Sequence, residues 1–151
     1  MTNKRKIFMI VSMFILSAVI TNASAQPAEY SIVRIDDAFV NKVLQAAPIE
    51  RDEFIDTYLE KLVFTRGYVE RVVKKNIYKQ TYCIELIDSL NSSRMNFKYH
   101  LYTENKEFTT LLEKGDLFEF KGQFVMYTPV SLKKDIYIFD IILQDGALVV
   151  E

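Results

Sequence analysis

The sequence predicts a mainly β fold that is preceded by two short helices and by a targeting segment. Three observations support this class. From Val63 onward, β-branched and aromatic residues alternate with polar ones at a period of two. Between Ile35 and Leu62, apolar residues recur at helical spacing. The chain of 151 residues is long enough to form one hydrophobic core and too short for two.

The first 25 residues have the pattern of a cleavable signal peptide. Residues 4–6 are basic, an apolar run follows from 7 to 20, and Ala23-Ser24-Ala25 matches the small-x-small pattern of a cleavage site. The alternative is a retained membrane anchor, but the run is shorter than the ~20 apolar residues that a spanning helix needs. We therefore predict a mature chain that begins at Gln26, is periplasmic or secreted, and has no membrane span.

Charge and cysteine content limit the classes of function. The chain has 19 basic and 20 acidic residues, and the three basic residues of the signal peptide are lost on cleavage, which leaves 16 basic residues and a net charge of −4. This balance argues against strong nonspecific attraction to nucleic acid. The single cysteine, Cys83, excludes an internal disulfide.

Residues 26–62 form the predicted helical N-terminal segment, which we expect to pack on the β domain. Residues 26–33 are a lead-in, and a first helix follows from Ile35. Pro48 suits the start of a second helix, because its missing N–H is not needed there. The segment has eight acidic and four basic residues, whereas residues 63–151 have twelve of each.

The remaining residues, 63–151, predict a five-stranded OB-like β-barrel with a short helix between its third and fourth strands. The predicted strands are 63–74, 78–87, 95–103, 117–127 and 135–143, and turns are expected at 75–76, 90–94 and 129–134. The short helix, 108–112, is closed by Gly115. Three strands, a helix and two strands is the chain order of an OB fold.

Alternation along each strand predicts which side chains form the core. The expected core residues are Val69, Ile84, Leu86, Phe118, Phe120 and Ile138. The same alternation exposes Cys83 on the second strand, and Lys98, His100 and Tyr102 on the third.

Several short motifs resemble a known family. Tyr58-Leu59-Glu60-Lys61 is followed by Gly67-Tyr68-Val69, and Leu112 is followed by Gly115-Asp116 and, after Phe118 and Phe120, by Lys121-Gly122. With these motifs, the stretch from Tyr58 to Val149 resembles the bacterial tRNA-anticodon-binding-like OB-fold family of small exported proteins. The resemblance implies the OB fold. It does not imply tRNA as a partner, because tRNA is not expected outside the cytoplasm.

The sequence contains no pattern that predicts catalysis, a metal site or a cofactor. One His and one Cys cannot form a His/Cys metal site, and no phosphate-binding glycine loop or nucleophile elbow is present. His100 could act as a base toward Ser92 or Ser93, but no orienting partner accompanies it. We therefore expect a protein that is not an enzyme.

A ligand site is predicted on the outer face of the second and third strands, where OB folds bind oligonucleotides and oligosaccharides. Lysines and one arginine flank this face at both of its ends, in the loops 71–79 and 133–134. The candidate ligand-binding residues are Arg71, Lys74, Lys75, Lys79, Lys98, His100, Tyr102, Lys133 and Lys134. Lysines at turns are also common as simple solvated residues that discourage edge pairing.

Two functions of different classes follow. The first is a monomeric, exported, non-enzymatic binding module for an anionic or glycan ligand. The second is an envelope protein-interaction or structural component whose acidic helices contact a partner through Asp36, Asp37, Glu50, Asp52, Glu53 and Asp56.

Overall fold

The computed structural model describes residues 32–92 and 94–150, so the predicted signal peptide lies outside the described residues. Six strands and three helices are present in this part of the chain. The strands are β1 (Ile32–Arg34), β2 (Leu62–Ile77), β3 (Gln80–Asp88), β4 (Asn96–Thr103), β5 (Leu117–Pro129) and β6 (Ile136–Val149). The helices are α1 (Asp37–Gln45), α2 (Pro48–Asp56) and α3 (Phe108–Leu111).

The strands form one sheet whose hydrogen bonds close into a ring. The strand order is β1-β2-β3-β4-β6-β5, and an additional pairing of β2 with β5 closes the ring of five strands. β4 and β6 are parallel, whereas the other neighbours in the ring are antiparallel. With α3 between β4 and β5, this connectivity is OB-like.

The five predicted strands and the short helix between the third and fourth are confirmed as elements, but two details are wrong. The expected lead-in contains β1, which pairs in parallel with β2 at Leu62, Val63 and Phe64. The expected turn at 75–76 is part of β2, and the chain instead reverses at Tyr78 and Lys79. Both turn residues have left-handed backbones, with φ of 53° and 60°, which is the conformation that a tight two-residue hairpin turn requires.

The interior of the ring is apolar and largely aromatic. Five of the six predicted core residues, Val69, Ile84, Leu86, Phe118 and Phe120, are buried as expected. The sixth prediction, Ile138, is wrong: this side chain is partly exposed on the outer surface.

The register between β4 and β6 explains the error at Ile138. Tyr137 and Phe139 pair with the inward-facing residues Phe97 and Tyr99 of β4, so they point into the ring and are fully buried. Ile138 lies between them in the strand and therefore faces outward.

The two N-terminal helices lie against the ring and extend its core. Phe39 of α1 is buried, and its ring lies 5.6 Å from that of Phe97 in β4 and 5.4 Å from that of Phe54 in α2. Asp36 caps α1 by accepting hydrogen bonds from the backbone N–H groups of Ala38 and Phe39.

Arg51 of α2 joins the helices to the opposite loop. Its Nε donates to the carbonyl oxygens of Val43 and Ala46 at 3.0 and 3.1 Å, and its side chain also donates to the carbonyl of Lys134 at 3.0 Å. The loop between β5 and β6 is thereby held on α2.

The close approach of β2 and β3 explains one glycine of the sequence motifs, Gly67. A Cβ atom at Gly67 would lie 2.7 Å from the carbonyl oxygen of Ile87 on the neighbouring strand β3. Such a contact is closer than van der Waals separation permits, so β2 and β3 could not keep their spacing with a side chain at this position.

Candidate functional site

The predicted ligand face lies on the outer surface of β3 and β4, and its charged side chains pair with those of the neighbouring strands β2 and β6. Arg71 Nε lies 2.8 Å from Glu85 Oε2, its register partner on β3. Lys98 Nζ lies 3.5 Å from Glu70 Oε2. Two of the predicted cations are therefore neutralised by acids of the same face.

His100 lies beside a hydrogen-bonded pair, Tyr78 and Asp140, on this face. Its Nδ1 lies 3.2 Å from Asp140 Oδ1, and each of the two side chains is 18% exposed. The hydroxyl of Tyr78 donates to the other oxygen of Asp140 at 3.0 Å. Burial and this hydrogen bond raise the pKa of Tyr78 to about 12. Ser92, the sequence-based partner for His100, instead accepts hydrogen bonds from the backbone N–H groups of Arg94 and Met95.

Two exposure predictions on this face are wrong. Cys83 and Tyr102 were expected to be exposed, but their exposed fractions are 0% and 1%. The two residues are register partners on β3 and β4, and the ring of Tyr78 packs edge-on against Tyr102 at 5.0 Å. Tyr78 at the hairpin turn therefore folds back over the outer face and covers it.

The lysines of the β2–β3 hairpin remain accessible. Lys74 and Lys79 are exposed, and Lys75 is partly exposed with its Nζ 5.9 Å from the centre of the Tyr102 ring. Among the ion pairs of the described residues, none involves these three lysines. The tip of the hairpin is thus a cationic surface with Tyr78 at its centre.

The second predicted basic loop has a different environment. Lys133 is exposed, but Lys134 forms an ion pair with Asp52 of α2. The hairpin approaches β4 at Thr103 and this loop approaches it at Asn96, so the length of β4, about 23 Å, separates them. The structure brings Arg71, Lys74, Lys75 and Lys79 together at one end and leaves Lys133 at the other.

A cavity on the other side of the ring was not predicted from the sequence. It has a volume of about 230 Å³ and lies where β1, β2 and β5 meet the start of α1 and the β3–β4 loop. Its lining includes Arg34, Asp37, Thr65, Arg66, Ser89 and Glu119. Alternation on β2 and β5 could have placed Arg66 and Glu119 together on the outer surface. No local pattern reveals β1, which supplies Arg34.

The structure also places a carboxyl group inside the fold. Asp88 is 2% exposed and accepts hydrogen bonds from the buried Tyr99 hydroxyl and from the backbone N–H of Leu90. Burial raises the pKa of Asp88 to about 7, although the Leu90 hydrogen bond opposes this shift. Asp88 thus titrates near neutral pH, unlike an exposed aspartate.

The described part of the chain contains neither a metal-binding cluster nor a membrane-spanning helix. Within residues 32–92 and 94–150, no group of three or more His, Cys, Asp or Glu side chains is arranged to hold a metal ion. In the same part of the chain, no helix has the length and apolar character needed to cross a membrane.

The ring of β2 to β6 defines a small OB-like domain, and comparisons with known proteins give several similar structures. No protein-family model and no curated protein matches the sequence. One similar structure is a proposed nucleic acid-binding lipoprotein from Klebsiella pneumoniae, which is 19% identical, with a TM-score of 0.45 and coverage of 82% of this chain and 99% of that chain.

Two similar structures are aminoacyl-tRNA synthetases. A proposed aspartyl-tRNA synthetase from Leishmania major is 11% identical, with a TM-score of 0.44 over 85% of this chain. An asparaginyl-tRNA synthetase from Entamoeba histolytica is 14% identical, with a TM-score of 0.41 over 78% of this chain. The chain spans 22% and 23% of the lengths of these two proteins.

Proposed function

We propose that this protein is an exported, monomeric, non-enzymatic OB-like module that binds an anionic polymer through the tip of its β2–β3 hairpin. Export is supported by the predicted signal peptide, residues 1–25. Membership of the exported OB-fold family is supported by the positions of the motif glycines, since Gly67 lies in β2 and Gly122 at an irregularity in β5.

The observation that supports the ligand class best is a difference in charge pairing: cations of the face have acidic partners, and cations of the hairpin tip do not. On the face, the cations Arg71 and Lys98 have acidic partners at 2.8 and 3.5 Å. At the tip, Lys74, Lys75 and Lys79 have none among the described residues. Unpaired cations on a protruding hairpin attract anions, while paired cations contribute little net field.

The geometry of the hairpin suits a polymer better than a small anion. The three lysines lie on an exposed turn and its adjoining strand ends, with no enclosing walls. Several modest contacts along a chain of negative charges would therefore supply the affinity, and salt would weaken it, because screening limits exposed charges to a reach of about 8 Å at physiological ionic strength.

A titration with heparin tests this proposal, using mature protein isolated from the extracytoplasmic fraction, whose first residue should be Gln26. We expect binding that weakens as NaCl increases. Replacing Lys74, Lys75 and Lys79 together by Glu should lower the affinity by roughly tenfold or more at low salt. Vesicles containing anionic lipid, titrated in parallel, distinguish a membrane surface from a soluble polymer.

A matched variant controls for total charge. Lys42, Arg94 and Lys114 are exposed cations away from the hairpin, and their replacement by Glu changes the net charge by the same amount. This control should retain most of the affinity. Equal loss in both triple variants, or no heparin binding by the wild type, would rule out the hairpin as the site.

The alternative, a partner-binding role for the acidic helices, has less support because most of these acids already have contacts within the chain. Asp36 caps α1, and Glu50 accepts a hydrogen bond from the backbone N–H of Ala47. Asp52 bonds to Tyr137 and Lys134, while Asp56 accepts from Tyr127. Capture of a stable protein partner from envelope extract that is lost on replacement of Asp37 and Glu53 would favour this alternative.

A further inference from the structure

The cavity beside α1 differs from the hairpin in its chemistry. Arginine side chains and carboxylates line the same space, which has a volume of about 230 Å³. This volume lies below the 300–1,000 Å³ typical of drug-sized ligand sites. The enclosed part of this space is therefore of a size for a small molecule.

The charges around the cavity are close to one another but do not pair. Arg66 and Glu119 are direct register partners on β2 and β5, a position in which opposite charges usually form a cross-strand ion pair. Among the ion pairs of the described residues, neither of the two takes part. The guanidinium of Arg34 lies 4.6 Å from the centre of the Phe64 ring and not against a carboxylate. Cations and anions are thus held apart around an open space.

The N-terminus of α1 does not supply an anion site here. Two of its free N–H groups, those of Ala38 and Phe39, donate to the carboxylate of Asp36. An anionic group of a ligand must therefore be bound by the arginines.

A second, independent feature of the cavity is a hydroxyl group without a partner. The Oγ atom of Ser89, which lines the cavity, is buried and has no hydrogen-bond partner among the described residues. A buried polar atom that is left without a hydrogen bond costs about 1–3 kcal/mol. The hydroxyl has almost no accessible surface, so rotation of the Ser89 side chain toward the cavity is needed before a polar ligand can bond to it and remove this cost.

We propose that this cavity binds a small dipolar molecule that contains both a carboxylate and an ammonium group, of the class of free amino acids. The carboxylate lies against Arg34 and Arg66, and the ammonium group lies against Asp37 and Glu119. A ligand with a single charge satisfies one half of the lining and leaves the other half unpaired. The proposal does not depend on polyanion binding at the hairpin, which lies elsewhere on the ring.

Isothermal titration of the mature protein with L-alanine and L-glutamine, as two sizes of dipolar probe, tests the proposal. Acetate and methylammonium serve as the two half-ligands. We expect at least one amino acid to bind, and each half-ligand to bind roughly tenfold more weakly or not at all. Arg66→Gln and Glu119→Gln should each weaken amino acid binding by roughly tenfold or more, because each removes one charge-assisted contact.

Control variants and NMR locate the binding. Glu113→Gln and Lys114→Gln change exposed charges outside the cavity lining and should leave amino acid affinity unchanged. In the wild type, the backbone signals of Thr65 and Ser89 should shift on titration, and dispersed spectra of the two cavity variants confirm that they fold.

Three results would overturn the proposal. Acetate binding as tight as amino acid binding means a simple anion site, and equal binding of methylammonium means a cation site. Failure of both amino acids to bind means that the unpaired charges are only solvated. None of these results bears on heparin binding, so the two proposals fail or stand separately.

Discussion

Asp88 is a carboxyl group inside the fold, in surroundings that oppose its ionisation. Its carboxyl group is nearly inaccessible and bonds to the Tyr99 hydroxyl and to the Leu90 N–H. Burial raises its pKa to about 7 from an ordinary value of 3.8. The folded state therefore binds a proton that the unfolded state releases at a much lower pH.

This shift predicts a loss of stability as the pH rises. Below about pH 4, Asp88 is protonated in both the folded and the unfolded state, and its contribution to the free energy of unfolding is fully present. That contribution is lost as the pH rises through about 7. We expect the free energy of unfolding to fall by on the order of 2–4 kcal/mol between pH 4 and pH 8 from this group. Urea unfolding of the wild type and of Asp88→Asn, at several pH values, measures the difference between the two curves.

In Asp88→Asn, the amide resembles the protonated carboxyl group, since it can accept from Leu90 and donate to Tyr99. The variant should lack this part of the pH dependence and be more stable than the wild type at pH 8. Glu113→Gln, a change at an exposed acid, should follow the wild-type curve. Parallel pH curves for wild type and Asp88→Asn would contradict the assignment.

At the scale of elements, the β2–β3 hairpin has two parts with different roles. Its lysines are accessible, whereas Tyr78 folds back onto Tyr102 at 5.0 Å and bonds to Asp140 at 3.0 Å. Cys83 lies beneath this cover with no exposed surface, and burial raises the pKa of its thiol to about 12. A protonated, covered thiol is unreactive.

Removing the cover should therefore make Cys83 reactive. We expect native wild-type protein to react slowly with a disulfide reagent such as DTNB. Tyr78→Ala should react ~10-fold faster, because the free energy needed to open the cover locally should fall by about 1.4 kcal/mol. Tyr78→Phe keeps the ring over Tyr102 and should remain slow. Rapid reaction of the wild type would show that the hairpin does not protect the outer face.

The same elements show what local patterns in the sequence can and cannot predict. Alternation correctly predicted the buried residues Val69 of β2, Ile84 and Leu86 of β3, and Phe118 and Phe120 of β5, because these segments have one apolar and one mainly polar face. In β6, residues 136–139 are all apolar, so alternation could not distinguish Ile138 from Phe139. The turn at Tyr78 and Lys79 was missed because it contains no glycine or asparagine, the residues that usually adopt positive φ.

Contacts between distant parts of the sequence explain the other differences between the predictions and the structure. The burial of Cys83 and Tyr102 depends on Tyr78 folding across from the hairpin turn. The cavity depends on the pairing of β1 with β2, and 27 residues of sequence, 35–61, lie between these two strands. No pattern of neighbouring residues in the sequence predicts either contact. The candidate lysines at the hairpin were predicted, and the unpaired charges of the cavity were not.

At the scale of the whole molecule, the helical segment and the ring share one core. Phe39 of α1 is 3% exposed and lies 5.6 Å from Phe97, and Tyr58 packs edge-on against it at 4.9 Å. A side chain that contacts both parts should couple their unfolding.

We predict that Phe39→Ala lowers the free energy of unfolding by about 3–5 kcal/mol, the usual range for an emptied aromatic site. Circular dichroism and tyrosine fluorescence should report one coincident transition in both wild type and variant. Leu111→Ala, at a leucine that is 60% exposed, should change stability by less than about 0.5 kcal/mol. Two separate transitions would mean that residues 32–56 and the ring are independent domains.

The position of β6 between β4 and β5 also determines when the chain can fold during its synthesis. β4 pairs with β6 across about 40 residues of sequence, from Asn96↔Ile136 to Tyr102↔Ile142. Until β6 leaves the ribosome, β4 has an unpaired edge and the core is open on that side. Contacts so distant in sequence form slowly, on the order of milliseconds to seconds. A nascent chain with this order of strands cannot close its core until β6 has been made.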